Sequence, residues 1–191
     1  MGKLLKLRQA YLESSPSPKE PQIVLTAAAS SLVVLARTLL HLARADESGG
    51  TEAVCVDREV GPFPIRAHFL EIGSRRPLGI GAGPMAILAW QSDAEIEAIL
   101  PFVEQRLSQY PKVSMTWLRN EINRSRERGY TIFLNMLVDR MGGIGMPIFG
   151  ADRRPVAAIS IAALSDRVSS RTEQLVAMLK REAEIVSNPK Q

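Results

Sequence analysis

The clearest candidate for binding chemistry in this sequence is a run of glycines, Gly79–Gly83 (GIGAG), that directly precedes a predicted helix. A glycine turn at the N-terminus of a helix presents backbone N–H groups and the positive end of the helix dipole, and both favour an anion. The run is not a dinucleotide-binding fingerprint, because Pro84 stands where a third glycine would fall and no clear strand leads into it. From these residues alone, a turn that needs glycine only for backbone geometry is the simpler explanation.

The histidines and the single cysteine do not form a recognisable catalytic or metal-binding set. His41 and His68 have no acidic or cysteine partner at the spacing of metal ligands, so we interpret both as structural or surface residues. Cys55 lies in an apolar stretch and is expected to be a small core residue. No Ser/His/Asp or Cys/His arrangement is recognisable from spacing. We therefore expect no metal, no cofactor and no catalytic residue.

Arginine is frequent in the chain, but its setting favours a solvated surface over a phosphate site. One predicted helix carries four arginines and two glutamates: Arg119, Arg124, Arg126 and Arg128 with Glu121 and Glu127. Opposite charges on one helix are typical of a surface with salt bridges. The pairs Arg75-Arg76 and Arg153-Arg154 lie in predicted turns and receive the same interpretation.

Length and composition indicate a globular chain of one domain or of one domain with an extension. The chain has 191 residues, of which 46% are hydrophobic and 23% charged, and its net charge of +4 is too small to imply nucleic-acid binding. The longest apolar run, Ile23–Ala36, has 14 residues, whereas a membrane span needs about 20. One cysteine excludes an internal disulfide and fits a reducing compartment. We expect a cytoplasmic protein without a membrane partner.

The N-terminal part divides into a helix, a linker and the start of a folded domain. Lys3–Glu13 has leucines at helical spacing, and the proline-rich Ser14–Pro21 then breaks the helix. We therefore separate residues 1–21, a linker-like helix with a proline-rich linker, from a domain over 22–191. Ile23–Ala45 is predicted to be one helix or two, with the alternative that part of it is extended, because Val33 and Val34 favour strand. Two short strands are predicted next, Glu52–Asp57 and Pro64–Leu70.

The rest of the chain mixes helices and strands without regular βαβ alternation. The predicted elements are helices at Pro84–Trp90, Asp93–Leu100, Ser114–Arg128 and Ser170–Val186, and strands at Tyr130–Val138, Ile144–Phe149 and Pro155–Ala162. Ser92 with Glu95, and Ser170 with Glu173, have the spacing of capping boxes. Gly129 is expected to end the arginine-rich helix. This pattern predicts the α+β class, with an antiparallel sheet flanked by helices.

Two long segments resemble the effector-binding domain of IclR-type bacterial transcription regulators. They are GPFPIRAHFLEIGSRRPLGIGAGPMAILA (61–89) and RERGYTIFLNMLVDRMGGIGMPIFGADRRPVAAISIAALSDRV (126–168). The opening KLLKLRQAYL resembles the helix that links this domain to its DNA-binding partner. The resemblance implies a GAF-like fold that senses a small metabolite and assembles into a homodimer or tetramer. Only two residues precede the linker-like helix, so we expect DNA binding only through an N-terminal domain missing from this chain.

The resemblance also implies a ligand site, which includes the glycine turn and positions on the later strands. The candidate ligand-binding residues are Gly81, Ala82, Gly83, Phe133, Asn135, Ile144, Met146, Ser160 and Ala162. Family members that bind small carboxylates place an acidic residue near Phe133–Asn135 and a second serine at position 162. Their absence makes this cavity more apolar, so we expect an aromatic or medium-chain organic acid rather than a two- or three-carbon acid.

The function expected from this resemblance is sensing of a small organic acid, without catalysis, in a transcription regulator. Two alternatives remain: a small enzyme that uses the glycine loop as an anion site, or a module that only oligomerises and whose pocket is collapsed. In the family, the linker helix would relay ligand binding to the DNA-binding domain. Self-association is also expected because the N-terminal helix carries four leucines that need a packing partner: Leu4, Leu5, Leu7 and Leu12.

Overall fold

Among the residues that the structure describes, one antiparallel sheet of six strands organises the fold. The computed structural model describes residues 39–45, 50–60 and 71–187. In chain order the strands are β1 (Leu39–Ala45), β2 (Glu52–Val60), β3 (Arg75–Pro77), β4 (Thr131–Leu134), β5 (Met141–Phe149) and β6 (Pro155–Leu164). Their spatial order is β3-β2-β1-β6-β5-β4, and every neighbouring pair is antiparallel. The predicted α+β class with an antiparallel sheet is therefore confirmed.

In the described part of the chain five α-helices accompany the sheet, and local sequence signals explain several of their ends. They are α1 (Ala82–Leu88), α2 (Asp93–Glu104), α3 (Met115–Arg128), α4 (Ser165–Ser170) and α5 (Thr172–Ser187). The predicted capping box of α2 is present, because the Glu95 N–H donates to the Ser92 hydroxyl and the Ser92 N–H donates to the Glu95 carboxylate. The Ser92 hydroxyl also donates to the Glu95 carboxylate, and this bond together with the one from the Ser92 N–H lowers the pKa of Glu95. Gly129 ends α3 at a φ of 82°.

The sheet separates two hydrophobic clusters. On one face α1, α2 and α3 contribute fully buried side chains such as Met85, Leu100 and Leu118. On the other face α4 and α5 cover the strands, with Leu179 packed among Ile144 and its neighbours. Helix α1 and helix α5 both contact β5, so this strand lies between the two clusters. No helix in the described part of the chain has both the length and the apolar character needed to cross a bilayer.

Three local predictions were wrong. Leu39–Ala45 is a strand, although helix was predicted as far as Ala45, because β1 pairs with β2 on one side and β6 on the other. Such tertiary pairing outweighs local helix propensity. Ser170 does not cap the last helix: it ends α4, and α5 begins at Thr172. The strand predicted to run to Val138 stops at Leu134.

Other predictions concern residues outside the ranges that the structure describes. The linker-like helix, the proline-rich linker and the strand Pro64–Leu70 lie outside the described residues. The boundary between residues 1–21 and 22–191 therefore stays a prediction. The hairpin between β5 and β6 is confirmed, and residues 150–154 connect its strands.

Candidate ligand-binding site

A cavity opens on the face of the sheet that carries α1. The centre of a water molecule can move through about 80 Å³ of it. Because a single water needs roughly 10–15 Å³ on this measure, the space suits a small organic molecule. The lining residues are Cys55, Arg76, Gly81, Ala82, Gly83, Pro84, Phe133, Met136, Leu137, Val138, Met141, Gly142, Gly143, Ser160, Ile161 and Ala162.

Two glycines before α1 have different roles. Gly81 has φ 101° and ψ 163°, a backbone conformation that is essentially restricted to glycine. A Cβ placed on Gly81 would lie 3.4 Å from both Arg76 Nη1 and Leu137 Cδ1, so the missing side chain leaves the cavity open. A Cβ on Gly79 would instead lie 2.8 Å from a methyl group of Leu88. Gly79 thus permits core packing, whereas Gly81 shapes the cavity.

Helix α1 approaches the sheet closely because β5 has glycines on this face. A Cβ on Gly145 would lie 2.6 Å from the Ala82 carbonyl oxygen, and one on Gly143 would lie 3.2 Å from the Ala82 Cβ. The buried Thr131 hydroxyl donates to the same Ala82 oxygen at 2.7 Å. These contacts fix the first turn of α1 against the sheet. They therefore also fix the residues just before the helix, 79–81, which are called the Gly81 turn below.

Arg76 brings a positive charge to the cavity. It lies on β3 opposite Ala53, which belongs to the core on the α1 face. Among the described residues that line the cavity, it is the only one with a charged side chain. Burial lowers the pKa of Arg76, and the neighbouring Tyr110 acts in the opposite direction. A guanidinium remains protonated at neutral pH, so the cavity contains a cation.

The other walls are mostly apolar. Phe133 is buried and meets Trp117 of α3 edge to face, with ring centroids 5.1 Å apart. Ser160 is buried on β6 and pairs with Gly145 in the register of the sheet. The Cys55 thiol donates to the Asp57 carbonyl at 3.6 Å. A cation and a hydroxyl within an apolar enclosure can accommodate a ligand with one anionic end and an apolar body.

Comparison with known proteins identifies the family. The family model described as "Bacterial transcriptional regulator IclR C-terminal" matches residues 24–188. This chain belongs to the IclR family. It corresponds to the effector-binding C-terminal domain of these regulators, and the family consists of transcriptional regulators rather than enzymes.

Individual relatives support the same assignment. The HTH-type transcriptional regulator KipR of Bacillus subtilis is 34% identical over 119 residues, which are 62% of this chain and 47% of KipR. The IclR crystal structure from Thermotoga maritima has a TM-score of 0.73 at 24% identity and covers 83% of this chain and 64% of that one. The C-terminal domain of E. coli KdgR has a TM-score of 0.67 at 26% identity, with 82% and 90% covered. The chain spans about half the length of the curated relatives it matches.

The IclR resemblance had suggested nine ligand-binding positions, and the structure gathers six of them in the cavity. Gly81, Ala82, Gly83, Phe133, Ser160 and Ala162 all line it. Ile144 and Met146 do not, because β5 alternates its side chains and places both in the cluster against α5. Asn135 is exposed at the start of the β4–β5 loop and is not a lining residue. These three residues therefore lie outside the cavity lining, and ligand contact by the other six stays a prediction.

Arg76 is the principal lining residue that sequence reasoning missed, since it had been interpreted as part of a solvated turn. The sequence carries no period-two signal for it, because Pro77, Leu78, Gly79 and Ile80 are all buried and β3 ends at Pro77. The pairing of Arg76 with Ala53 of β2 is what places it on the side of the core. Arg75, one residue earlier, is half exposed and lies 3.8 Å from the Glu52 carboxylate.

The remaining candidates have structural roles. Arg119 forms an exposed ion pair with Glu97, as predicted for a solvated face, whereas Arg128 pairs with Glu121, which is buried. Arg126 is 2.8 Å from Asp93 and also donates to the carbonyls of Ala89 and Gln91, so it ties α3 to the α1–α2 connection.

Within the described residues, no group of three or more His, Cys, Asp or Glu side chains could hold a metal ion. The backbone of His41 pairs with Ser160, and His68 lies outside the described part.

Proposed function

We propose that this domain senses a small organic acid with an aromatic or medium-chain body, which it binds in the cavity beside the Gly81 turn without chemical turnover. The observation that carries this proposal is the position of Arg76. Its guanidinium lines a cavity whose other walls are mostly apolar, and one of its nitrogens lies beside Gly81. The charge therefore lies at the turn that the sequence had already suggested as an anion site.

The chemistry of these walls favours a carboxylate over a neutral ligand. A guanidinium binds a carboxylate with two parallel hydrogen bonds, and charge-assisted hydrogen bonds are roughly twice as strong as neutral ones. Ser160 supplies a hydroxyl from the sheet. Phe133, Leu137 and Ala162 offer apolar surface, and burying an aromatic ring there is worth about 1.5–3 kcal/mol. Pyruvate and glyoxylate have little apolar surface to bury.

We propose that ligand binding is coupled to DNA binding through the association of this domain with a DNA-binding domain and with further copies of itself. KipR is named an HTH-type regulator, and this chain spans about half of its length. We propose that the domain acts with such a DNA-binding domain in the cytoplasm, that it self-associates as a homodimer or tetramer, and that it does not recognise an operator by itself. Sedimentation of the purified chain only as a 21.0 kDa species, or a footprint of this chain alone on an operator, would contradict the proposal.

The ligand class can be tested by titration calorimetry with benzoate, hexanoate, pyruvate and the neutral analogue benzyl alcohol. Benzoate or hexanoate should bind at least tenfold more tightly than pyruvate or benzyl alcohol, since only these acids use both the cation and the apolar walls. Arg76→Gln should weaken benzoate binding by roughly 10- to 100-fold, the loss expected when a charged hydrogen-bond partner worth about 1.5–3 kcal/mol is removed.

Arg75→Gln provides the matched control. It removes the same charge one residue away, from a side chain that is half exposed and pairs with Glu52. We expect it to leave benzoate affinity unchanged. Equal losses in both variants, or tighter binding of pyruvate, would contradict the proposed site. If none of these ligands shifts the melting temperature, the purely oligomerising module is the better account, and steady turnover of an added acid would favour the enzyme.

A further inference from the structure

The cavity is roofed by the six residues 135–140, which join β4 to β5 and are called the roof loop below. Its side chains Met136, Leu137 and Val138 line the cavity. The Leu137 Cδ1 atom lies 3.4 Å from the point that a Cβ on Gly81 would occupy, so the loop reaches the Gly81 turn. The roof loop therefore closes the side of the cavity that faces the turn.

The roof loop is held in an unusual conformation at both ends. Asn135 and Arg140 have φ values of 59° and 63°, in the left-handed region that residues other than glycine rarely occupy. Short backbone bonds close the base of the loop, from the Asn135 N–H to the Met141 carbonyl at 2.8 Å and from the Met141 N–H to the Val138 carbonyl at 3.2 Å. Such conformations persist when the surrounding structure holds them in place.

Lys112, which does not line the cavity, binds the roof loop through a hydrogen bond and an ion pair. Its ammonium group donates to the Asn135 carbonyl at 3.1 Å and forms an ion pair with Asp139. One side chain thus connects two points four residues apart in the loop. Lys112 itself is anchored, because the next residue, Val113, is buried and Ser114 caps helix α3.

We propose that Lys112 is a positioning residue of the cavity: it holds the roof loop over the Gly81 turn and so limits entry to the site. The effect of Lys112 on ligand entry rests on the proposed function, but its hold on the roof loop does not require a ligand. An exposed ion pair and a hydrogen bond to a carbonyl together correspond to roughly a five- to thirtyfold change in an equilibrium. Loss of Lys112 should make the open state of the loop more populated by that factor.

The alkylation rate of the Cys55 thiol can report how often the roof loop opens. It is the only cysteine of the chain, it lines the cavity, and its exposure is 2%. Alkylation of the intact full chain by iodoacetamide, followed by mass spectrometry without ligand, should be at least fivefold faster in Lys112→Met than in the wild type. Lys112→Arg, which keeps a cationic donor, should remain close to the wild-type rate. Asp139→Asn, which keeps the carbonyl bond, should lie between them.

Arg119→Met is the matched control, because it removes an exposed ion pair, with Glu97, that does not involve the roof loop. It should not change the alkylation rate. Wild-type rates in both Lys112→Met and Asp139→Asn, or equal acceleration in Arg119→Met, would overturn the proposal.

Adding benzoate separates the two proposals. Protection of wild-type Cys55 by benzoate is expected if the cavity is the acid site. Absence of protection, with the Lys112 effect intact, would contradict the proposed function and leave the positioning role of Lys112 supported.

Discussion

The two faces of the sheet differ most clearly along one strand. On β5, Gly143 and Gly145 face α1, whereas Ile144, Met146 and Ile148 face α5. On the α1 face the missing side chains let the helix backbone come against the strand, and a cavity remains beside it. On the α5 face the space is filled by large side chains that are almost completely buried.

This difference shows how one strand can support both a packed core and a binding cavity. Side chains alternate along a strand, so each residue contributes to one face only. The face that packs against α5, called the filled face below, can supply stability. The face that packs against α1, called the glycine face, keeps space for a ligand. The charged side chain of the cavity, Arg76, comes from the far edge of the sheet, on β3, so the site depends on strand order as well as on β5.

The largest effect on stability should come from truncating a buried side chain on the filled face. Ile144 is completely buried, so Ile144→Ala should lower the free energy of unfolding by about 2–5 kcal/mol, measured by urea denaturation. Benzoate affinity of the folded variant should not change. Ile185→Ala, at a side chain of α5 that is 42% exposed, should cost less than about 0.5 kcal/mol. A selective loss of benzoate binding in Ile144→Ala would mean that the faces have been wrongly distinguished.

A smaller effect should come from filling the glycine face. In Gly145→Ala the new Cβ would lie 2.6 Å from the Ala82 carbonyl oxygen, so the first turn of α1 must move. We expect a loss of about 1–3 kcal/mol in stability, together with weaker benzoate binding because the Gly81 turn moves with α1.

Gly143→Ala is the graded comparison for that variant, because its Cβ would lie 3.2 Å from the Ala82 methyl group and 3.5 Å from the Ile161 carbonyl oxygen, neither as close as the contact at Gly145. It should cost less stability than Gly145→Ala in the same urea titration. The reverse order would show that α1 is not held against β5 as described.

The smallest effect concerns a carboxylate on the filled face. Glu182 of α5 is buried, and burial raises its pKa, whereas Arg181 acts in the opposite direction. A raised pKa means that the charged form opposes folding, so Glu182→Gln should stabilise the protein at pH 7, by roughly 1–2 °C in melting temperature. The advantage should shrink as the pH falls towards the usual carboxyl value of 4.5, where the wild-type group becomes neutral. A pH-independent difference would rule out this electrostatic origin.

Local chemistry made much of the fold predictable. Ser92 and Glu95 define the start of α2 through contacts three residues apart, and Gly129 ends α3 through its own backbone conformation. β1 could not be predicted in this way, because its extended form depends on pairing with β6, more than a hundred residues later in the chain. Ser170 had the spacing of a cap, but a preceding short helix already ends there.

The candidate site was predictable where the signal lay in a turn and not where it depended on strand geometry. The Gly81 turn stands out in the sequence because glycines cluster there. Ile144 and Met146 were assigned to the ligand although their neighbours Gly143 and Gly145 are the residues that face α1. Arg76 was missed because two adjacent arginines in a glycine-rich stretch suggest a solvated turn, and only the pairing of β3 with β2 places one of them in the cavity.

The most direct test of the account is to locate the ligand by NMR in protein with 13C-labelled Leu and Ile methyl groups. With saturating benzoate, the ring protons should give intermolecular NOEs to the Leu137 methyl groups of the cavity and none to Ile144 on the filled face. The NOEs to Leu137 should disappear in Arg76→Gln at a benzoate concentration that saturates only the wild type. NOEs to Ile144, or NOEs to Leu137 that persist unchanged in Arg76→Gln, would contradict the assignment of Arg76 and the α1 face as the ligand site.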